Sequence, residues 1–154
     1  MNEPDMKDFI IRDYRDEDYN EVIELWSLTG MSRPERRDDR NTIERCNDLG
    51  GRLLLLEDRL NNKIAGSSWM TFDGRRVYMH HFGILPEYQG KGLSKPLLEK
   101  SLEHVRDKGF QIKLEVHSTN IKAIELYKKY GFEYLGDYRV FIIRDIDKTK
   151  SAKI

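Results

Sequence analysis

The feature that most constrains this chain is a glycine-bearing turn, Gln89 to Ser94, between a predicted strand and a predicted helix. The residues before it, Val77 to Leu85, are rich in β-branched, aromatic and apolar types, as is usual in strands. After it, apolar residues recur at helical spacing over Leu93 to Lys108, and a second predicted strand, Phe110 to His117, follows Gly109. Because a strand, a helix and a strand form a right-handed crossover, these two strands should be parallel neighbours.

The turn has the composition of an anion-binding site. Gly90 and Gly92 have no side chains, so an anion can approach the backbone where the first helical amides and the positive end of the helix dipole converge. Two glycines alone are weak evidence, and the spacings of a Walker A loop or a dinucleotide fingerprint are absent. Because Pro96 is tolerated only within the first helical turn, the helix should begin near Leu93 or Ser94.

The rest of the chain predicts strands and helices in alternation. We predict strands before the turn at 9–12, 52–56, 63–72 and 75–85, with a hairpin turn at Asp73-Gly74. We predict helices from Asp16 or Asp18 to Gly30 and from Asn41 to Leu49. After the turn we predict the helix 93–108, the strand 110–117, the helix 120–130 and further strands at 134–135 and 140–143. The fold class is therefore α/β, with a mixed sheet of about six to seven strands and about four helices.

Composition restricts the classes of function. The 154 residues fit one domain, 1–154, and the 27 basic and 27 acidic residues balance, so no net charge favours nucleic acid or an anionic membrane. The single cysteine, Cys46, excludes an internal disulfide framework and a cysteine-rich zinc site. No apolar run reaches membrane-spanning length, and the start, Met1 to Asp5, lacks a signal-peptide pattern. We expect a cytoplasmic protein with no nucleic-acid or membrane partner.

Two motifs resemble the GCN5-related N-acetyltransferase (GNAT) superfamily. Residues Gln89 to Ser94, Gln-Gly-Lys-Gly-Leu-Ser, are similar to the Gln/Arg-x-x-Gly-x-Gly/Ala signature that holds the pyrophosphate of acetyl-coenzyme A, with Ser94 where the family prefers Gly or Ala. The run Leu-Glu-Val-x-x-x-Asn-x-x-Ala-Ile-x-Leu-Tyr-x-x-x-Gly-Phe, from Leu114 to Phe132, resembles the ribosomal-protein alanine N-acetyltransferases of this superfamily. The resemblance is specific from Val77 to Phe132 and general before that range.

The resemblance implies the GNAT fold and a coenzyme site. In this fold the fourth and fifth strands are parallel and splay apart, and the pantetheine arm of acetyl-coenzyme A enters between them. An amide near Ile84 would polarise the thioester carbonyl, because a fixed donor needs no reorganisation as charge develops. The implied coenzyme-binding residues are Phe82, Gly83, Ile84, Gln89, Gly90, Lys91, Gly92, Leu93, Ser94, Lys95, Asn120 and Tyr127.

Three residues are candidates for catalysis. By strand alternation Glu115 shares a face with Lys113 and His117, and a carboxylate on an interior parallel strand needs a partner or a function. The resemblance implies that Glu115 takes a proton from the attacking amine and that Tyr127 protonates the leaving thiolate, which are general base and acid roles. An ordinary solvent-exposed face or a structural ion pair for Glu115, and a core position for Tyr127, remain as alternatives. His80 is the second candidate base.

The histidines and one charged segment are open to other interpretations. His80 and His81 are adjacent on a strand and should point to opposite faces, so we predict no metal site. His117 assists Glu115, lines the acceptor pocket or makes a hydrogen bond at a strand end, and His104 should be solvated. The segment 32–40 is either a solvated connection or part of an acceptor pocket.

The resemblance, together with these residues, implies an N-acetyltransferase that transfers acetyl from acetyl-coenzyme A directly to a primary amine. The acceptor is a protein N-terminus, a lysine or a small amine. A different class of function is an acyl-coenzyme A sensor that keeps the coenzyme site but transfers nothing. The acceptor, the acyl chain length and the oligomeric state stay open, with a homodimer as one alternative.

Overall fold

The computed structural model describes residues 5–150, which belong to two compact units, Met1–Glu115 and Val116–Ile154. The start of the chain up to Pro4, on which the expectation of a cytoplasmic location partly depends, lies outside the described residues. The first unit contains β1 (Phe9–Asp13), α1 (Tyr19–Leu28), α2 (Arg40–Asp48), β2 (Arg52–Asp58), β3 (Lys63–Phe72), β4 (Arg76–Ile84), α3 (Ser94–Lys108) and β5 (Gln111–Leu114). The second unit contains α4 (Ile121–Lys129).

The five strands form one mixed sheet in the order β1-β2-β3-β4-β5. The first three pairings are antiparallel and the β4–β5 pairing is parallel, which confirms the predicted crossover through α3. The hairpin between β3 and β4 turns at Gly74, which has a φ of +88°, and Asp73 Oδ1 accepts the backbone amides of Arg75 and Arg76 at 2.7 Å each. This confirms the predicted Asp73-Gly74 turn, because an Asp side chain can satisfy the amides of the turn that follows it.

The two faces of the sheet pack against different helices. Met70 is opposite Met79 in the β3–β4 register and both are about 3% exposed or less, on the face that α3 covers. Ser68 on this face hydrogen-bonds Ser101 of α3 at 2.7 Å. On the other face, the indole of Trp26 in α1 stacks on Trp69 with ring centroids 5.3 Å apart. Burial of apolar side chains between the sheet and the helices on its two faces is the main source of stability for such a fold.

The sheet has five strands in the described residues, and the prediction of six to seven was wrong. The strand predicted over 110–117 ends at Leu114, and residues 134–135 and 140–143 form no strand in the described part of the second unit. The large apolar side chains at these six positions are between 58% and 88% exposed. Strand propensity reflects how well a side chain packs on a partner strand, so a β-like sequence without such a partner stays irregular.

A β-bulge in β4 overturns the prediction for the adjacent histidines. Ser67 pairs with Gly83 and Trp69 pairs with His80, so two steps along β3 correspond to three steps along β4, and His81 has a φ of +44°. The ring centroids of His80 and His81 both lie near Trp69, at 6.2 Å and 5.3 Å. The extra residue breaks the strict alternation of the strand, so the two imidazoles share a face.

Among residues 5–150, no helix is both long and apolar enough to span a bilayer.

Candidate active site

The glycine turn follows β4 and leads into α3, as predicted. Gly90 and Gly92 both have a φ of +76°, which favours glycine, and no heavy atom lies within 4 Å of a Cβ added at either position. The amides at the start of α3 receive no side-chain cap from Leu93. Pro96 is the third residue of α3 and so lies within its first turn. The head of this helix therefore presents accessible backbone to an anion, and a pyrophosphate fits such a position.

Two side chains directly before the glycines hold the start of the turn in place. Gln89 Nε2 donates to the carbonyl of Ile84 at 2.8 Å. The Tyr88 hydroxyl, which is buried, donates to Asp58 Oδ2 at 2.7 Å. Burial, followed by the neighbouring Asp58 carboxylate, raises the pKa of Tyr88 to about 12. The start of the turn is thus fixed while its glycines stay accessible, and such preorganisation favours binding.

The other predicted residues of this turn differ in what they offer. Leu93 is 2% exposed and packs in the core, so only its backbone can serve a ligand. Lys91 is exposed, with its Nζ 5.4 Å from the centre of the Tyr88 ring. Ser94 begins α3 and Lys95 follows as an exposed cation. Both lysines are available to an anionic group near the helix head.

β4 extends beyond its ladder with β5. The pairs run from Arg76 with Gln111 to Met79 with Leu114, whereas β4 continues to Ile84. Two parallel strands that splay apart must stop pairing before the longer one ends, as β4 and β5 do here. A Cβ added at Gly83 would lie 2.8 Å from the terminal methyl of Met31, so a side chain at this position would require the end of Met31 to move. The stretch from Phe82 to Ile84 can therefore present backbone to a ligand arm.

Glu115 lies directly after β5, which is an edge strand of the described sheet rather than the interior strand that we expected. Its side chain is exposed. Burial, followed by a hydrogen bond with Glu115, raises the pKa of Tyr78 well above its usual range. Glu115 and Tyr78 therefore interact, and Tyr78 is a site residue that the sequence reasoning missed. Its only signal was its position two residues before His80 on the same strand face.

His80, the second candidate base, is half-buried beside Tyr78. The two rings stack with centroids 4.4 Å apart, and His80 Nε2 is 2.9 Å from the Thr71 hydroxyl. Burial, followed by the charge of His81, lowers the pKa of His80 to about 4. The imidazole is therefore neutral at pH 7 and resists protonation.

His81 has a structural partner that the sequence did not reveal. Its Nε2 lies 2.7 Å from Asp38 Oδ2, so the segment between α1 and α2 is attached to β4 at the bulge. This contact does not decide whether the segment 32–40 is a solvated connection or part of an acceptor pocket.

His117 Nδ1 is 2.8 Å from the Thr119 hydroxyl, and this is the hydrogen bond that we expected as the simpler alternative. No group of three or more metal-ligand side chains occurs within the described range 5–150.

The second unit contains Asn120 and Tyr127. Asn120 is the N-cap of α4, and its side chain accepts the amide of Ala123 at 3.3 Å. Tyr127 is 8% exposed, and its ring centroid lies 5.5 Å from that of Phe132. Burial raises the pKa of Tyr127 to about 12, so its phenol keeps its proton at neutral pH. The roles predicted for both residues stay predictions.

Comparison with known proteins adds the family. The acetyltransferase (GNAT) family matches residues 11–132 of the chain. This chain belongs to the GNAT family. The match includes the glycine turn and the run from Leu114 to Phe132, so the predicted family is confirmed. Members of this family are acetyltransferases, and acetyl-coenzyme A dependence is typical of them.

Solved GNAT structures share the fold. The ribosomal-protein-S18-alanine N-acetyltransferase of Escherichia coli is 20% identical, with a TM-score of 0.69 over 81% of this chain and 77% of that one. Naa50 of Arabidopsis thaliana, in complex with the bisubstrate analogue CoA-Ac-MVNAL, is 22% identical, with a TM-score of 0.68 over 82% and 83%. The glucosamine-6-phosphate N-acetyltransferase of Arabidopsis thaliana is 20% identical, with a TM-score of 0.67 over 87% and 97%. At these identities the likeness concerns the fold, which is compatible with quite different acceptors.

Proposed function

We propose that this protein is an acetyl-coenzyme A-dependent N-acetyltransferase that acts on a primary amine. The observation that carries the proposal is the accessible, anchored glycine turn at the head of α3, with Gly90 and Gly92 both left-handed and unobstructed. The backbone from Gln89 to Lys95 would hold the pyrophosphate, and the stretch Phe82 to Ile84 would bind the pantetheine arm. The coenzyme supplies an acetyl thioester, and the protein supplies position and proton transfer.

Glu115 is the better candidate for the base. Transfer of acetyl from a thioester to an amine forms a C–N bond, breaks the C–S bond and releases a proton from nitrogen. Glu115 is exposed to solvent and can accept that proton directly or through water. In contrast, His80 is held neutral by burial, with a pKa of about 4, and its Nε2 lies beside the Thr71 hydroxyl. We therefore assign the proton acceptance to Glu115 and a neutral hydrogen-bonding role to His80.

Tyr127 would return a proton to the sulfur that leaves the acetyl group. Its high pKa keeps the phenol protonated at neutral pH, as an acid must be before it acts. In a Tyr127→Phe variant, we expect turnover to fall about a hundredfold or more, the lower end of the range for loss of a general acid, with little change in the affinity for acetyl-coenzyme A. Unchanged turnover in this variant would remove the acid role.

Binding of acetyl-coenzyme A tests the central assignment. Isothermal titration should give one site per chain in the wild type and much weaker binding in Gly92→Ala, because the added methyl occupies the anion position. Gly109→Ala is a matched control, since Gly109 has a φ of +73° and equally open surroundings at the other end of α3. Both variants carry the same backbone strain, so only Gly92→Ala should lose affinity. Equal affinities would contradict the proposed coenzyme site.

Thiol release with a panel of amines separates the remaining functions. Peptides, lysine side chains and small amines are all open, since the similar folds named above act on proteins or on a sugar amine. An enzyme releases coenzyme A thiol with at least one amine above the rate of hydrolysis. A sensor would bind the coenzyme stoichiometrically and release nothing with any amine.

We also propose a homodimer, on the evidence of the second unit. Its irregular segment exposes large apolar side chains, including Tyr138 at 82% and Phe141 at 88%. Exposed apolar surface of this extent is unusual on a monomer in water, and a second copy of the chain is a partner that is always present. Sedimentation velocity should give a dimer that Phe141→Asp dissociates. A monomeric wild-type protein would refute the proposed homodimer.

A further inference from the structure

A cavity of about 270 Å³ lies on the sheet face that carries His80. It is formed by the end of β3, the hairpin after it, β4 and β5, all within the first unit. Thr71, Tyr78 and Lys113 are side by side in the register of these three strands, and Tyr78 and His80 contribute stacked rings to the lining. The proposed function uses Glu115 and His80 at one end of this surface but leaves the other lining residues without a role.

The charges around this cavity are unbalanced. Its lining contains three cations, Arg75, Arg76 and Lys113, and one carboxylate, Asp73. None of the three cations forms a salt bridge with another side chain of the described part of the chain. Asp73 already accepts two backbone amides of the hairpin through Oδ1. The cavity therefore has an excess of positive charge.

The hydrogen bonds of these side chains leave their charges available. Arg76 Nε donates to Gln111 Oε1 at 2.8 Å, which fixes the guanidinium without neutralising it. Lys113 Nζ lies 5.8 Å from the centre of the Tyr78 ring. Tyr78 interacts with Glu115, so that carboxylate has a partner other than the cations. A planar guanidinium and a nearby ammonium are well suited to a phosphate or a carboxylate.

We propose that this cavity binds a phosphate or carboxylate group of the acceptor, so that the substrate is a compact primary amine that carries an anionic group. This inference rests on the proposed function, because it places the amine near His80 and Glu115. Strands advance about 3.3 Å per residue, so the Lys113 row lies about 7 Å, and the Arg76 row about 13 Å, from His80 along the sheet. The amine and the anionic group of the substrate should be separated by a distance in this range.

Matched pairs of amines test the inference. The specificity constant kcat/KM is measured for 6-aminohexanoate against 6-aminohexanol, and for glucosamine 6-phosphate against glucosamine. We expect the wild type to prefer at least one anionic member by about tenfold or more, as one charge-assisted hydrogen bond supports, and the preference should shrink with added salt. Arg76→Gln and Lys113→Gln should each lower this ratio several-fold. Arg106→Gln, which removes an exposed cation of α3, should keep it.

The outcomes separate this inference from the function on which it rests. Acetylation of amines without any anionic preference would overturn the inference and leave the acetyltransferase assignment intact. A marked preference for a peptide with an acidic start over both small anionic amines would also overturn it, since the proposed substrate is compact. If no amine is acetylated, the proposed function fails. NMR titration with glucosamine 6-phosphate then tests whether the cavity binds an anionic group, independently of acetyl transfer. Binding that Arg76→Gln weakens would then support the anion site, and no binding would refute it.

Discussion

The two faces of β4 show how one strand serves stability and chemistry. Val77 and Met79 point into the core and are each 3% exposed. Tyr78 and His80 occupy the opposite face, where they are half-buried, stacked on each other and shifted in pKa. Because successive side chains of a strand point to opposite faces, neighbouring residues experience different surroundings. A substitution should therefore affect mainly the stability or mainly the turnover, according to its face.

The largest expected effect comes from Glu115, which follows β5 and interacts with Tyr78 on the polar face of β4. Glu115→Gln should lower turnover with a primary amine about 10²- to 10⁴-fold, because an amide cannot accept the proton of the amine. The side chain is exposed, so the free energy of unfolding should change by less than about 0.5 kcal/mol. Steady-state kinetics and urea denaturation measure the two quantities. Glu103→Gln, at an exposed position of α3, is the control. Full turnover in Glu115→Gln would exclude the base role.

The apolar face should give the opposite result. Met79→Ala removes a side chain that is 3% exposed, and the lost burial and the cavity left behind should cost about 2–5 kcal/mol of unfolding free energy. Turnover per folded molecule should stay near the wild-type value, since Met79 faces away from the site. Met6→Ala is a control of the same chemistry at 43% exposure and should change stability by less than about 0.5 kcal/mol. Equal losses at both positions would show that the face does not decide the effect.

The smallest effect expected is a pH dependence from His80. Its pKa is about 4 in the folded protein and about 6.5 in the unfolded chain, so the unfolded state binds a proton more readily. Stability is therefore full above about pH 6.5 and falls on the order of 2–3 kcal/mol as the pH decreases to about 4. His80→Gln should flatten this slope, whereas His117→Gln, at an exposed position, should retain it. Parallel curves for the wild type and His80→Gln would refute the buried neutral imidazole.

Local sequence signals predicted much of the first unit. The bounds of β3 match the prediction, the Asp73-Gly74 hairpin forms, and Pro96 lies within the first turn of α3. These features depend on short-range chemistry: turn residues, capping and alternation. The family could be predicted for the same reason, since the glycine turn and the run after Leu114 are contiguous motifs. The family match over residues 11–132 confirms it.

Long-range pairing produced the differences. The bulge at His81 depends on how β3 and β4 align, and it moved two histidines to one face. The pairing of Asp38 with His81, and that of Asp58 with Tyr88, joins residues more than 25 positions apart. No local pattern predicts such partners, because their proximity results from the packing of whole elements.

The strand–turn–helix unit, the parallel crossover and the family can all be predicted from the amino-acid sequence, because each is encoded in contiguous residues whose backbone preferences are local. Three other features follow only from the folded chain: the end of β5 at Leu114, the environment that holds His80 neutral, and the grouping of Arg75, Arg76 and Lys113 around one cavity. Register, burial and the electrostatic surroundings of a side chain depend on which strands and helices meet, so they are properties of the folded chain.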